Sequence, residues 1–482
     1  MQITTVICGF ILPRLLLDSF GSEVNGLTQS ISQFLGIVSF LELGVGQVIH
    51  SSLYRPLANG DMLRTSIILK SGSKYFRSIA YCLIAYIAVL VIVFPYFTDQ
   101  KYDWMYTALL ICAISVDAFA RYYFGMIDKI LLSADQRGYV QFTAQIITTL
   151  LNTLAVVIMI QLGCSIQLVK MSTAVVFLLN PLVIRMYIKR HYKIDRKISY
   201  QGEPIAQKWN GIAQHISAVV LEGTDNIVLT LLATLSDVSV YSIYFMVISG
   251  IRQLYVAVTA GLQSMIGSLW ARSETNKLEQ VFSVVEITLH FLVVFLFTCI
   301  AVLLVPFVRV YTNGLVDANY IRPVFAAILT LAYGIRCLRT PYNILILAGG
   351  HYKQTQCCHI VAAFLNIVIS VIAVMRFGLV GVAIGTLIAF TYQTVWMAIY
   401  AYKNLIYWRL GRAMKLFLVD VLAVGVNLLA TSRFELQTIC YWGWFSMALP
   451  VSMLVVAITV IIAWVFYGPQ LAHFARSKID LS

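Results

Sequence analysis

Five arginines stand inside long apolar runs of this sequence: Arg14, Arg121, Arg252, Arg336 and Arg339. Four acids share that setting, Glu42, Asp117, Glu222 and Asp225, and Glu286, His290 and Asp420 lie in further apolar runs. A charged side chain at the centre of a bilayer costs about 2.5–3.5 kcal/mol on insertion scales, so five arginines facing lipid would cost roughly 15 kcal/mol. Such residues face a protein interior or a wet cavity instead. Arginine is also the suited cation for one ligand class. Its planar fork binds phosphate oxygens bidentately and keeps its proton. No lysine stands in the central part of any apolar run, so the five arginines are expected to bind a phosphate or pyrophosphate group. Some of the acids are expected to pair locally: Asp117 with Arg121 and Asp18 with Arg14 are spaced i, i+4 on one helical face. Glu222 and Asp225, at i, i+3, are placed to serve Arg252. The same four acids, Glu42, Asp117, Glu222 and Asp225, are the positions where a proton or sodium ion would couple.

The elements that carry these charges are transmembrane helices. The chain has 482 residues, 60% hydrophobic and 11% charged, with mean hydropathy +0.84. Soluble domains are about half apolar and a quarter charged. A helix needs about 20 mostly apolar residues to cross the hydrocarbon core. That template yields about fourteen spans: 1–17, 27–54, 78–98, 104–131, 139–161, 166–188, 210–234, 239–268, 283–308, 322–348, 355–375, 379–402, 414–431 and 441–467. The fold class is therefore an all-α polytopic membrane protein. The segment DMLRTSIILKSGSKYFR (61–77) interleaves basic and apolar residues, which predicts an amphipathic helix on the inner leaflet.

Net charge is +13, and its distribution explains it without nucleic acid. Basic residues gather in alternate loops, such as Arg55 to Arg77, Lys189 to Lys197, and Lys403 to Lys415. The opposite loops hold only Lys101, Arg309, Arg322 and Arg433, with Lys170 and Arg376 at span ends. Basic loops stay cytoplasmic, which places both termini inside. The nine cysteines show no C-x-x-C or Cys/His spacing, so no metal site and no disulfide framework is expected. No outer loop is long enough to carry catalytic groups, so no catalytic residues and no resident cofactor are expected, and the chain does not read as an enzyme.

The two halves match at a nearly constant offset. Ser22-Glu23-Val24 corresponds to Ser236-Asp237-Val238, and Leu151-Asn152 corresponds to Leu365-Asn366 at the same interval. Leu53-Tyr54 pairs with Leu269-Trp270, Ala134 with Ala348, Gly163 with Gly378, and Arg121 with Arg336. Repeats of six helices return the chain to its starting side, a parallel arrangement typical of transporters with a substrate site between the lobes and alternating access. The expected organisation is an N-terminal six-helix lobe (1–188), a basic linker (189–209), a second six-helix lobe (210–402), and two extra helices with a tail (403–482). Pro13 and Pro341 each remove a backbone hydrogen bond and are expected to bend their helices.

The stretch ILPRLLLDSFGSEVNGLTQSISQFLGIVSFLELGVGQVIHSSLYRPLANGD resembles the N-terminal region of the Wzx-type flippases of lipid-linked oligosaccharides. These polysaccharide-biosynthesis proteins belong to the multidrug/oligosaccharidyl-lipid/polysaccharide (MOP) exporter superfamily. The likeness lies in the Pro-Arg of the first helix, the FGSEVNGL turn, the glycine-rich LELGVGQV and the LYRP exit. The six-plus-six layout extends it over essentially the whole chain. The family pattern adds a polar lead-in before the first helix, and this sequence starts inside the apolar run. The resemblance implies a cationic cavity in which the five arginines meet the pyrophosphate of an undecaprenyl-linked glycan, moved from inner to outer leaflet. It implies a bacterial inner membrane, other polysaccharide-assembly proteins as partners, and a groove for the polyprenyl tail beside the last two helices. Two alternatives within the superfamily are a MATE-type multidrug/cation antiporter, which needs net carboxylate in its lobes, and a lipid II flippase. A membrane polymerase or ligase of glycan units would need the large outer loop that is missing here.

Overall fold

The computed structural model describes residues 2–42, 45–97, 102–196, 198–199, 212–259, 261–272 and 274–479. The described residues are almost entirely helical. In chain order the helices are α1 (Gln2–Gly36), α2 (Val45–Ala58), α3 (Met62–Phe97), α4 (Trp104–Ala120), α5 (Met126–Ala134), α6 (Gly138–Gln161), α7 (Ile166–His191), α8 (Ile212–Leu232) and α9 (Leu235–Thr259). They continue as α10 (Leu262–Ala271), α11 (Thr275–Tyr311), α12 (Pro323–Leu338), α13 (Thr340–Ala348), α14 (Tyr352–Phe377), α15 (Leu379–Ala401), α16 (Leu410–Thr431) and α17 (Tyr441–Ile479). Eleven stretches of the described residues are long and apolar enough to cross a membrane. The chain is a multi-pass membrane protein. Of the other expected spans, 1–17 and 27–54 fall in the interrupted run from α1 to α2, and 210–234 begins outside the described residues.

The chain divides into two compact units, Met1–Ser239 and Val240–Ser482, with the division inside α9. The expected boundary, the linker 189–209, lies largely outside the described residues.

Unit 1 is built on an apolar core that includes Ile49, Leu53, Phe76, Leu83, Leu131 and Ile184, all buried. The GSEVNGL stretch is not an open turn. It narrows to one break at Gly21 (φ 80°, ψ 173°), after which α1 resumes. A side chain would strain that left-handed backbone, and glycine does not. The resumed helix holds its polar residues inward: Asn25 donates to Ser239 at 2.8 Å, and Ser22 lies 3.3 Å from Ser236. Both pairs join residues 214 apart, the interval of the sequence repeat.

The segment 61–77 is not a separate surface helix either. It forms the first turns of α3, a single helix of 36 residues, about 54 Å long at 1.5 Å per residue. Asp61 starts it, its carboxylate accepting the Arg64 backbone N–H at 2.9 Å, as an N-cap does. The basic turns therefore extend past the hydrocarbon on a rigid rod.

In unit 2, α11 packs against α12, α16 and α17, and α14 forms a tight hairpin with α15. The hairpin depends on Gly381 and Gly385, one turn apart, whose Cα atoms sit against the Ala373 carbonyl and the backbone of Ser370. Small residues at this spacing let membrane helices approach to backbone contact. Asn366 then reaches Thr386 at 3.0 Å across the seam. Gly381→Val is expected to destabilise the protein by roughly 3 kcal/mol, because the clash is with backbone that cannot move aside. Thermal unfolding in detergent measures it.

Candidate functional site

Each unit interrupts its fourth repeat helix at an arginine. In unit 1 the interruption is a π-helical turn at Arg121–Gly125, between α4 and α5. In unit 2 it is the break at Arg339 between α12 and α13, followed at once by Pro341. Arg121 and Arg336 are repeat counterparts; the interruption begins at Arg121 in unit 1 and falls three residues after Arg336 in unit 2. Such turns free backbone groups and swing side chains out of the regular helical register.

In unit 1, Arg121 pairs with Asp117 at 3.2 Å, and both border a cavity of about 310 Å³ also lined by Lys129, Gln145 and Asn180. Two cations thus stand against one carboxylate. Lys129 belongs to the site that sequence reading left out, because it lies near the end of the expected span; the π turn continues the helix past it. The Tyr122 hydroxyl, from the same turn, donates to Glu42 at 2.7 Å. Arg14 pairs with Asp18 at 3.0 Å and is partly buried. Asp225 is buried on α8, and the side chain of Glu222 lies outside the described residues.

In unit 2, Arg252 stands on α9 about one turn before Tyr255, and Arg336 and Arg339 stand at the end of α12 on either side of Cys337. All three are half-buried. Arg336 lies over the Phe390 ring at 5.1 Å and the Tyr333 ring at 5.8 Å, contacts that favour a guanidinium where water is scarce. Arg339 donates to the Gln393 carbonyl oxygen, and the Gln393 amide meets His359 Nδ1 at 2.9 Å. Tyr255 ties the neighbourhood together by donating to the Cys337 carbonyl at 3.0 Å. The hairpin of α14 and α15 supplies Gln393, Phe390 and His359, so the glycine seam positions this site.

A second polar group of unit 2 was legible only as scattered charges. His290 Nδ1 meets Asp420 at 2.6 Å, and His290 Nε2 meets the Tyr342 hydroxyl at 3.2 Å. The Glu286 carboxylate accepts from the Tyr402 hydroxyl at 2.9 Å. Arg412 Nε is 3.9 Å from the same carboxylate, held flat over Trp408 at 3.9 Å. Glu286, His290 and Asp420 are each under 5% exposed. Buried charge in a membrane is retained when it is paired, as His290 is with Asp420 and Glu286 is with Tyr402. Among the described residues no cluster of His, Cys, Asp or Glu is arranged to hold a metal ion.

At the basic-loop end of unit 1, Tyr192 donates to Asp135, which Arg137 approaches at 3.0 Å. Burial and then the Asp135 hydrogen bond raise the Tyr192 phenol well above its usual range, so it remains a donor across the physiological pH range.

No family model matches the chain, and no curated protein matches it. Solved structures do. It is similar to the lipid II flippase MurJ in an inward closed conformation, with TM-score 0.70 and 16% identity over 97% of this chain and 98% of that one. Structures described as MOP superfamily transporters share the fold. An inward-facing multidrug-resistance MATE transporter of that superfamily matches with TM-score 0.59 and 15% identity, covering 83% of this chain and 94% of that one. A MOP transporter from Pyrococcus furiosus, described as having a binding pocket of reverse polarity, matches with TM-score 0.51 and 12% identity over 84% and 96%. At such identities the likeness is one of fold. The substrate must be argued from the charges of this chain.

Proposed function

We propose that this protein is a flippase that moves an undecaprenyl-pyrophosphate-linked oligosaccharide from the inner to the outer leaflet of a bacterial inner membrane by alternating access. The observation that carries the reading is the placing of Arg252 on α9, about one turn before Tyr255, whose hydroxyl donates to the Cys337 carbonyl between Arg336 and Arg339 at 3.0 Å. Three guanidinium groups on membrane helices, two of them adjacent to a helix break, suit a diphosphate that arrives with its own charge and leaves again. A cation exporter would want carboxylate there. Arg121 and Lys129 add a cationic cavity in unit 1, and Arg14 is the remaining candidate contact. The membrane potential would assist, since moving an anion outward is downhill by about 2.3 kcal/mol per charge per 100 mV. A proton or sodium ion would couple at Glu42, Asp117, Glu222 or Asp225. In this reading the protein acts by transport and catalyses no covalent step, and other polysaccharide-assembly proteins are its partners.

The full-length likeness to a lipid II flippase favours a second reading, in which the glycan is the peptidoglycan precursor on the same polyprenyl diphosphate. Complementation separates the two. Surface glycan restored in a strain lacking its own oligosaccharide flippase supports the first. Growth restored only in a strain depleted of its lipid II flippase supports the second, and restoration of neither by a well-expressed chain defeats both.

The proposed orientation, both termini cytoplasmic, puts the exposed Cys440 outside. Hydrogen bonds from Thr438 and then the Gly443 N–H lower its thiol pKa, so more thiolate is present at neutral pH than for an ordinary cysteine. With the other eight cysteines replaced, a membrane-impermeant maleimide is expected to label intact cells rapidly. Labelling only after lysis would reverse the orientation.

A further inference from the structure

A cavity of about 440 Å³ opens in unit 1 where the basic turns of α3 meet α5 and the segment after α7. Four cations line it: Lys70, Lys74, Arg77 and Arg196, against the single carboxylate of Asp128. Asp128 is 1% exposed and is engaged by Arg196 at 2.8 Å, and Lys74 and Arg77 are exposed cations of the lining. Lys70 is anchored to the Ile198 carbonyl at 2.6 Å. The Arg77 guanidinium rests over the Tyr123 ring at 5.2 Å, and Tyr81 packs edge-on against the same ring. Ser73 and Ser78 place hydroxyls beside these charges. Anchored cations with neighbouring hydroxyls form the donor set that phosphate oxygens take.

The surroundings decide what bears the phosphate. From the cavity lip, α3 continues through an exposed apolar face: Tyr81, Ile84, Ala88, Ile92 and Tyr96, spaced three or four residues apart. From Arg77 to Tyr96 the helix rises about 28 Å, close to the roughly 30 Å thickness of a hydrocarbon core. A soluble anion would have no use for that stripe. A lipid would lay its acyl chains along the first half of it with the headgroup in the cavity. We propose that this cavity binds the phosphate headgroup of an anionic phospholipid in the leaflet at the basic-loop end of the helices. The site is remote in sequence from Arg252, Arg336 and Arg339, and it does not rest on the flippase reading.

Native mass spectrometry of the purified full chain tests this with phosphatidylglycerol and phosphatidylcholine of the same acyl composition, and with inorganic pyrophosphate as a soluble competitor. The expected result is retention of phosphatidylglycerol over phosphatidylcholine. Lys74→Ala/Arg77→Ala is expected to weaken that retention about thirty-fold, taking the usual contribution of one juxtamembrane cation twice. Lys74 and Arg77 are exposed, and an unchanged melting temperature in phosphatidylcholine confirms that the variant folds. Should it fail to fold, Lys74→Glu alone carries the test and is expected to give a loss of at least about ten-fold. Equal retention of the two lipids, or undiminished retention by the folded variants, overturns the proposal. Displacement of the lipid by pyrophosphate at equal concentration overturns the lipid as the source of the phosphate.

Discussion

Replacing Arg336 and Arg339 together by alanine is expected to cut flipping of the lipid-linked glycan by at least about a hundred-fold. A hydrogen bond to a charged group contributes about 1.5–3 kcal/mol, and each factor of ten in an equilibrium is about 1.4 kcal/mol. Two lost contacts to one diphosphate therefore reach that effect even at the low end. The double lysine variant is expected to recover only part of the loss, because it restores charge without the planar fork. Surface glycan in a strain lacking its own flippase, normalised to protein in the membrane, is the measurement. Arg339 also donates to Gln393, so Gln393→Leu is the control. It misplaces Arg339 while leaving its charge, and is expected to cost less than Arg339→Ala. Undiminished glycan from the double alanine variant, or from Arg252→Ala and Arg336→Ala singly, would remove the pyrophosphate contact from this site.

Asp420→Ala is expected to destabilise the protein by roughly 3 kcal/mol. The carboxylate is the 2.6 Å partner of His290 and both are nearly inaccessible. Its loss leaves His290 Nδ1 buried without its acceptor, and His290 in turn positions Tyr342. Replacing both partners by leucine removes the stranded polar group as well as its partner, so the double variant is expected to be more stable than Asp420→Ala alone. Thermal unfolding of Asp420→Leu, His290→Leu and the double leucine variant closes the cycle. If Asp420→Ala unfolded like the parent, the pair would be a surface-like contact and not the anchor between α11 and α16.

Composition and apolar periodicity determine most of the fold, because a bilayer admits few ways of satisfying backbone polar groups. Bilayer-length apolar spans, basic alternate loops and a near-constant offset between the two halves all follow from one-dimensional pattern. So does local pairing: Asp117 with Arg121 and Asp18 with Arg14 sit on one helical face whatever the tertiary arrangement. The segment 61–77 illustrates the limit. Its charge pattern fits either a surface helix or the rigid first turns of a span, and only the absence of a break after Arg77 decides for the latter. The GSEVNGL stretch is similar, since one glycine with positive φ bends a helix as well as a loop would. What tertiary structure alone decided is which distant charges meet. Tyr255 ties α9, which carries Arg252, to Cys337 between Arg336 and Arg339 at the end of α12, although α10 and α11 intervene in the chain. His290, Tyr342 and Asp420 come from three separate elements to make one hydrogen-bonded chain, and Tyr402 reaches Glu286 from a fourth. Residue type signals that a buried charge must have a partner. Helix packing, set here by contacts as small as the Gly381–Gly385 seam, selects which partner it is.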